Sequence, residues 1–198
     1  MKGLLTDDAG MSLVELVVAI VVGGLFAALL SLMFVNGWTL QERSYSRDTA
    51  TGQATVVKTT MADALRNAAS VRVSGSNTRV DALVAVPSSS YTGTWTWECR
   101  AWVFTDKSIR YSAGSTIRNS DPVGWPVLAG KSAQRPLDSV TGKIAGAPFA
   151  LLGSKGVQIA FDITAVGRDT EKISVSDGMT AQTVATTAAI AGAPACWN

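Results

Sequence analysis

Residues 10–35 read GMSLVELVVAIVVGGLFAALLSLMFV, and the reading of this stretch decides the architecture of the chain. From Leu16 to Val35 no residue is charged. As a helix rising 1.5 Å per residue the run extends about 30 Å, the hydrocarbon thickness of a bilayer. Trp38, just beyond it, suits the membrane interface, where an indole ring lies partly in apolar surroundings with its N–H wet. A removed secretory signal would have a shorter apolar core, roughly 7 to 15 residues, closing on a small-residue cleavage pattern. No A-x-A pattern precedes the polar segment QERSYSRD at 41–48. A fully buried core helix of this length is unusual in a small domain. The stretch is therefore read as a retained membrane helix. Ala19, Gly23, Gly24 and Ala27, with Ala28, permit close helix packing, although a plain membrane anchor carries such residues too.

Glu15 is the informative residue. An acidic side chain at the start of an apolar span is costly unless it stays near the interface or finds a partner, and such a residue points to function. If the chain were cut after Gly10, the new amino terminus at Met11 would lie one helical turn from Glu15. The amine of a neighbouring copy could then neutralise that carboxylate inside an apolar bundle and set an axial register.

Gly10-Met11-Ser12-Leu13-Val14-Glu15-Leu16-Val17-Val18-Ala19 resembles the processing motif of type IV prepilins and pseudopilins. There a Gly precedes the cut, the fifth mature residue is Glu and a long apolar stretch follows. The resemblance implies a prepilin peptidase that cleaves between Gly10 and Met11 and methylates the Met11 amine, with Glu15 guiding the subunit into a filament. It also implies other pilin or pseudopilin subunits and an inner-membrane assembly platform as partners. Two departures stand out: Met11 occupies a position where Phe is usual, and the leader carries Asp7 and Asp8 beside a single Lys2. With Arg43 and Arg47 beyond the span, charge bias does not orient the helix, so a cytoplasmic N-terminus follows from the resemblance and from the cysteines.

The remaining composition narrows the function. At 198 residues the chain holds one ordinary domain plus an appended element. It has no histidine, which removes the commonest general base, the commonest metal ligand and every imidazole triad. Two cysteines cannot alone close a four-ligand zinc site. The carboxylates Asp81, Glu98, Asp106, Asp162 and Glu171 form no convincing pair, and the GSKG run at 153–156 lacks the spacing of a phosphate loop. No catalytic residue, metal or cofactor is expected. A net charge of +2 without a basic block leaves nucleic acid a minor possibility.

Beyond Trp38 an amphipathic stripe of Leu40, Tyr45, Val56, Val57, Met61, Ala64, Leu65, Ala68 and Ala69 predicts that one helix continues from about Ser12 to about Ala69, with Gly37 and Gly52 as plausible bends. From Ser70 the runs VRVSG, RVDALVAV, GTWTWECRAWVFT, KSIRYSA, KGVQIAFDITAV and EKISVSDG read as antiparallel strands. The insertion from Ala113 to Leu151 reads as loop with a short strand near Phe149. The expected class is α+β, a pilin-like layout with a long N-terminal transmembrane and amphipathic helix packed on an antiparallel sheet. The expected segments are a leader at 1–10, a transmembrane helix at 11–37, its amphipathic continuation at 38–70 and an extracytoplasmic β-rich head at 71–198.

Alternation in TWTWECRAWVFT puts Trp95, Trp97, Cys99, Ala101 and Val103 on one face and Trp102 and Phe104 on the other. The first face is expected to pack against the helix, a carbohydrate or nucleobase platform being the competing use of its tryptophans. A Cys99–Cys196 bond would close nearly the whole head, persist only outside the cytosol and resemble the cysteine-closed end of many pilins; two separate buried thiols also fit the sequence. The expected function is a minor pilin or pseudopilin that assembles into or primes a pilus or pseudopilus. It would cross the cytoplasmic membrane once, in contact with the lipid bilayer, before reaching the cell surface. The alternative is a tip-located subunit that contacts DNA, glycan or a surface.

Overall fold

Between Met1 and Val86 there is no proline, and nothing in the backbone stops a helix once begun. The computed structural model, which describes residues 12–87, 95–165, 172–182 and 193–197, has a single helix α1 over Leu13–Arg66. It runs unbroken through Gly23, Gly24, Gly37 and Gly52. The chain divides into two compact units, Met1–Glu42 and Arg43–Asn198. In the first, the chain is helix from Leu13 onward, and every large apolar side chain from Leu13 to Leu40 is exposed.

In the second unit α1 turns one stripe inward: Ser46, Ala50, Gln53, Ala54, Val57, Met61, Ala64 and Leu65, spaced by threes and fours. This corrects part of the expected stripe. Val57, Met61, Ala64 and Leu65 are buried, but Leu40, Tyr45 and Val56 face outward at 62%, 75% and 45% exposure. Ala50 and Ala54, whose small side chains let the strands approach the helix closely, and Gln53, whose amide is hydrogen-bonded inside, take their place. The helix ends at Arg66, short of the expected Ala69, and Ala68 and Ala69 belong to the first strand; at the turn between them the Asn67 N–H donates to the Ala64 carbonyl and its amide side chain to the Asp63 carbonyl. The Asn67 carbonyl then accepts the Ala85 N–H and starts the first strand beside the second.

One sheet is an antiparallel meander of β1 (Ala68–Ser74), β2 (Arg79–Pro87), β3 (Trp95–Thr105), β4 (Ser108–Gly114) and β5 (Val127–Gly130). The other centres on β8 (Gly156–Thr164), which pairs along its whole length with β9 (Lys172–Thr180). The opposite edge of β8 is shared end to end by β6 (Ser139–Gly142) and β7 (Phe149–Leu152). The α+β layout of a long apolar helix followed by antiparallel sheets is thus present, and the six expected strands correspond to β1, β2, β3, β4, β8 and β9. The insertion holds the short strand at Phe149, as expected, and also β5 and β6.

A common core joins the α1 stripe to both sheets, through Val80, Val84, Trp102 and Ile109 on one side and Phe149, Val157, Ile159, Phe161 and Ile163 on the other. Trp102 is fully buried, its ring 5.2 Å from that of Tyr111. The expected facing of β3 is therefore inverted. Trp102 points to the helix, while Trp97 and Cys99 belong to a second cluster with Leu83, Ala69 and Cys196 on the outer face. Both faces of β3 are apolar, and the outer one is satisfied by the C-terminal tail instead of by α1.

Gln53 ties the helix to the join between the sheets. Its Nε2 donates to Asp138 Oδ2 at 2.8 Å and its Oε1 accepts the Gly130 N–H at 2.7 Å. Gly130 has φ +86°, and a Cβ there would lie 2.2 Å from the Lys107 carbonyl oxygen, so only glycine fits. We expect Gln53→Leu to lower unfolding free energy by about 2–3 kcal/mol, because a buried N–H loses its acceptor and a buried carboxylate loses a donor. Urea titration of the variant beside wild type measures this.

Two carboxylates on the second sheet make its stability acid-sensitive. The Ser174 hydroxyl, and after it the Lys143 ammonium, hold the Asp162 pKa below the ordinary carboxylate value; the hydrogen bond from Lys58 does the same for Asp177. A lowered folded-state pKa stabilises at pH above the ordinary value of 3.8 and ceases to do so as pH falls through the folded value. Lys58 and Asp177 are 45% and 40% exposed, so solvent screening keeps that pair below about 1 kcal/mol. Asp162→Asn with Asp177→Asn is expected to melt slightly below wild type at neutral pH, the two curves converging as pH falls through the lowered folded-state values.

Candidate membrane and assembly site

Ser12 precedes the first helical residue, and the opening bond of α1 runs from the Leu16 N–H to the Ser12 carbonyl at 3.1 Å. Glu15 stands in the first turn and is exposed. A carboxylate there meets the positive end of the helix dipole. The spacing Ser12-x-x-Glu15 is also that of a capping box, a local signal that attention to the apolar run passed over. Gly10 and Met11, the expected cleavage and methylation positions, lie outside the described residues.

Glu15 is the only charged residue between Asp8 and Glu42. Around and beyond it the helix offers only apolar surface, with Leu25 and Phe26 at 63% and 65% exposure. It is long and apolar enough to cross a membrane, and none of its most apolar window is buried within the protein. Two polar side chains in this part bond to the helix's own backbone: the Ser31 hydroxyl donates to the Ala27 carbonyl at 2.8 Å and the Thr39 hydroxyl to the Asn36 carbonyl at 2.9 Å. Phe34 and Trp38, one turn apart, have ring centroids 6.1 Å apart at the end of the apolar run. Ala19, Gly23 and Ala27 recur at four-residue spacing and so share one ridge, with Gly24 offset from it. A Cβ on Gly23 or Gly24 would meet nothing within 4 Å, so that side of the helix stands open.

Cys99 and Cys196 are joined in a disulfide, with Cα atoms 5.2 Å apart and a sequence separation of 97. Strand β3 positions Cys99, and the bond fixes residues 193–197 against it, with Trp97, Ala193 and Trp197 packed around the cystine. Among the described residues no three His, Cys, Asp or Glu side chains gather as metal ligands. The grooves of the head are open; one of about 400 Å³ lies between α1 and β9, where Lys58 meets Asp177.

Residues 5–31 match the family model described as the prokaryotic N-terminal methylation motif, which spans the expected cleavage position, Met11 and Glu15. No curated protein and no solved structure matches the chain. At the head of its exposed apolar helix, the chain carries the type IV prepilin-like signature.

Proposed function

We propose that the chain is a minor pilin or pseudopilin, a structural subunit that assembles into or primes a type IV pilus or a secretion or competence pseudopilus. Prepilin peptidase removes residues 1–10 and methylates the Met11 amine. The apolar part of α1, up to residue 37, then holds the subunit in the cytoplasmic membrane, with the helix continuing to Arg66 and the β-rich head that follows it on the extracytoplasmic side. From there the assembly platform moves it into the filament. Glu15 accepts the charge of a neighbour's Met11 amine, and the ridge of Ala19, Gly23 and Ala27, with Gly24, receives an adjacent helix. One observation carries this reading: the methylation motif stands on an exposed helix whose apolar run has Glu15 as its sole charge. The disulfide supports a head outside the cytosol.

Intact mass measurement of the chain extracted from membranes tests the reading. We expect loss of residues 1–10, one added methyl group and the two-hydrogen deficit of the cystine together. Gly10→Val is expected to leave the full-length precursor, because a branched side chain blocks the scissile position. A mature wild-type chain that still begins with MKGLL would overturn the proposal.

A second reading is favoured by a specific observation. Trp95 is 61% exposed on the outer face of β3, outside both apolar clusters. This supports a subunit that contacts a ligand at a filament tip.

A further inference from the structure

The outer face of the meander sheet can be laid out in rows from its register. Trp95 stands opposite Pro87, Trp97 opposite Ala85, Cys99 between Leu83 and Gly114, and Ala101 between Asp81 and Ser112, with Arg72 beyond Asp81. Trp95 and Trp97 are two residues apart on one strand, so their Cα atoms are about 7 Å apart and their side chains share a face. The cystine continues this line, and the tail it holds adds Trp197. Trp97 and Trp197 are each half-buried against the cystine cluster. The result is a surface of three indole rings, seated on a strand and a covalent cross-link.

Cations flank it. On the β1 side the Arg72 guanidinium lies 5.9 Å from the Trp197 ring centroid. On the β4 side Arg118 covers Gly114, its guanidinium held by the Ala113 and Thr116 carbonyls. Farther along, Arg79 and Arg110 hold the 115–126 loop by its carbonyls. A guanidinium hydrogen-bonded to a carbonyl keeps its full charge. Of the carboxylates on this side, Asp81 is 2% exposed and bound by Arg79, and Asp121 accepts the Val123 N–H.

Aromatic faces that tolerate any planar or apolar partner, set among arginines that outnumber the described carboxylates beside them, match a polyanion whose units have flat faces. We propose that this surface binds single-stranded nucleic acid. Unpaired bases stack on Trp95 and Trp97, and backbone phosphates follow Arg72 and Arg118. A duplex keeps its bases stacked inside and offers the tryptophans nothing. A neutral sugar would use the rings but not the charge. The inference rests on the reading that the head carries a ligand, and is independent of whether the chain enters a filament.

The test uses the full chain in detergent micelles, titrated with a fluorescein-labelled oligothymidine and followed by anisotropy at several salt concentrations. We expect saturable binding that weakens as salt rises. Trp95→Ala should weaken it about tenfold, the effect of losing one stacked base, with an unchanged melting temperature because Trp95 is exposed. Arg72→Gln should reduce the salt dependence by about one phosphate contact. A matched duplex and neutral oligosaccharides of glucose and N-acetylglucosamine complete the set. Binding of a neutral oligosaccharide alone, lost in Trp95→Ala and indifferent to salt, would keep the ligand-binding reading and overturn the nucleic-acid inference. Tighter binding of duplex than of oligothymidine, or equal binding by wild type and Trp95→Ala, overturns the stacking site. Absence of binding to every probe overturns both readings.

Discussion

Glu15→Ala is expected to leave the chain cleaved, methylated and in the membrane, yet to lower its share of the filament fraction about a hundredfold or more. In the proposed assembly, removing the carboxylate leaves a neighbour's Met11 ammonium in apolar surroundings without its counter-charge. Breaking a buried ion pair from one side costs about 3–5 kcal/mol, which is two or more powers of ten in an equilibrium. Alanine costs the membrane helix nothing, so insertion persists. Glu15 has a competing local role, because with Ser12 it has the spacing of a capping box. Glu15→Gln separates the two. Glutamine serves a capping box as glutamate does but brings no charge. Immunoblots of membrane and filament fractions should therefore show Gln failing as Ala does. If Gln assembles like wild type, the residue works as a helix cap and the charge-pairing account is wrong.

The N-terminal motif was legible in sequence because its information is local: one charge, one apolar run and a spacing of a few residues. The long helix was legible for the same reason, with no proline before Pro87 to interrupt it. The strands rich in Val, Thr and aromatics announced themselves by alternation. Alternation, however, says which residues share a face, not which face is buried. In β3 both faces are apolar, so the choice between Trp102 and Trp97 for the helix side depended on where the C-terminal tail lies, and Cys196 is fixed far from β3 in sequence. The inward stripe of α1 was obscured by a related effect. Tyr45 and Val56 look like core residues and are exposed, whereas Gln53 is buried because Gly130 and Asp138 satisfy its amide. Strands β5 and β6 are four residues each and have no pattern of their own. They are formed by pairing with β4 and β8, and the Lys107 carbonyl ties them together by accepting the N–H groups of Lys131 and Val140, a non-local arrangement.

Cys196→Ser is expected to lower unfolding free energy by about 2–5 kcal/mol without abolishing the fold. The loop between the cysteines spans 97 residues, and for about that length the chain-entropy estimate is about 4.7 kcal/mol. The fold survives because the cystine belongs to the small outer cluster, while the core shared by α1 and both sheets contains neither cysteine. Loss of the bond should be felt first at the outer face. The tail at 193–197 would leave Leu83 and Ala69, and Trp197 would leave Arg72. Two measurements check this in the full chain: the urea midpoint, and the rate at which protease trims the C-terminus under native conditions. Cys99→Ser with Cys196→Ser should match the single variant, since a lone thiol at either end restrains nothing. A double variant with the wild-type midpoint would mean that the tail is held by its packing alone. In the nucleic-acid site the same variants keep the stacking on Trp95 and the charge of Arg72 on β1 but lose Trp197, so affinity should fall less than in Trp95→Ala while the salt dependence is unchanged.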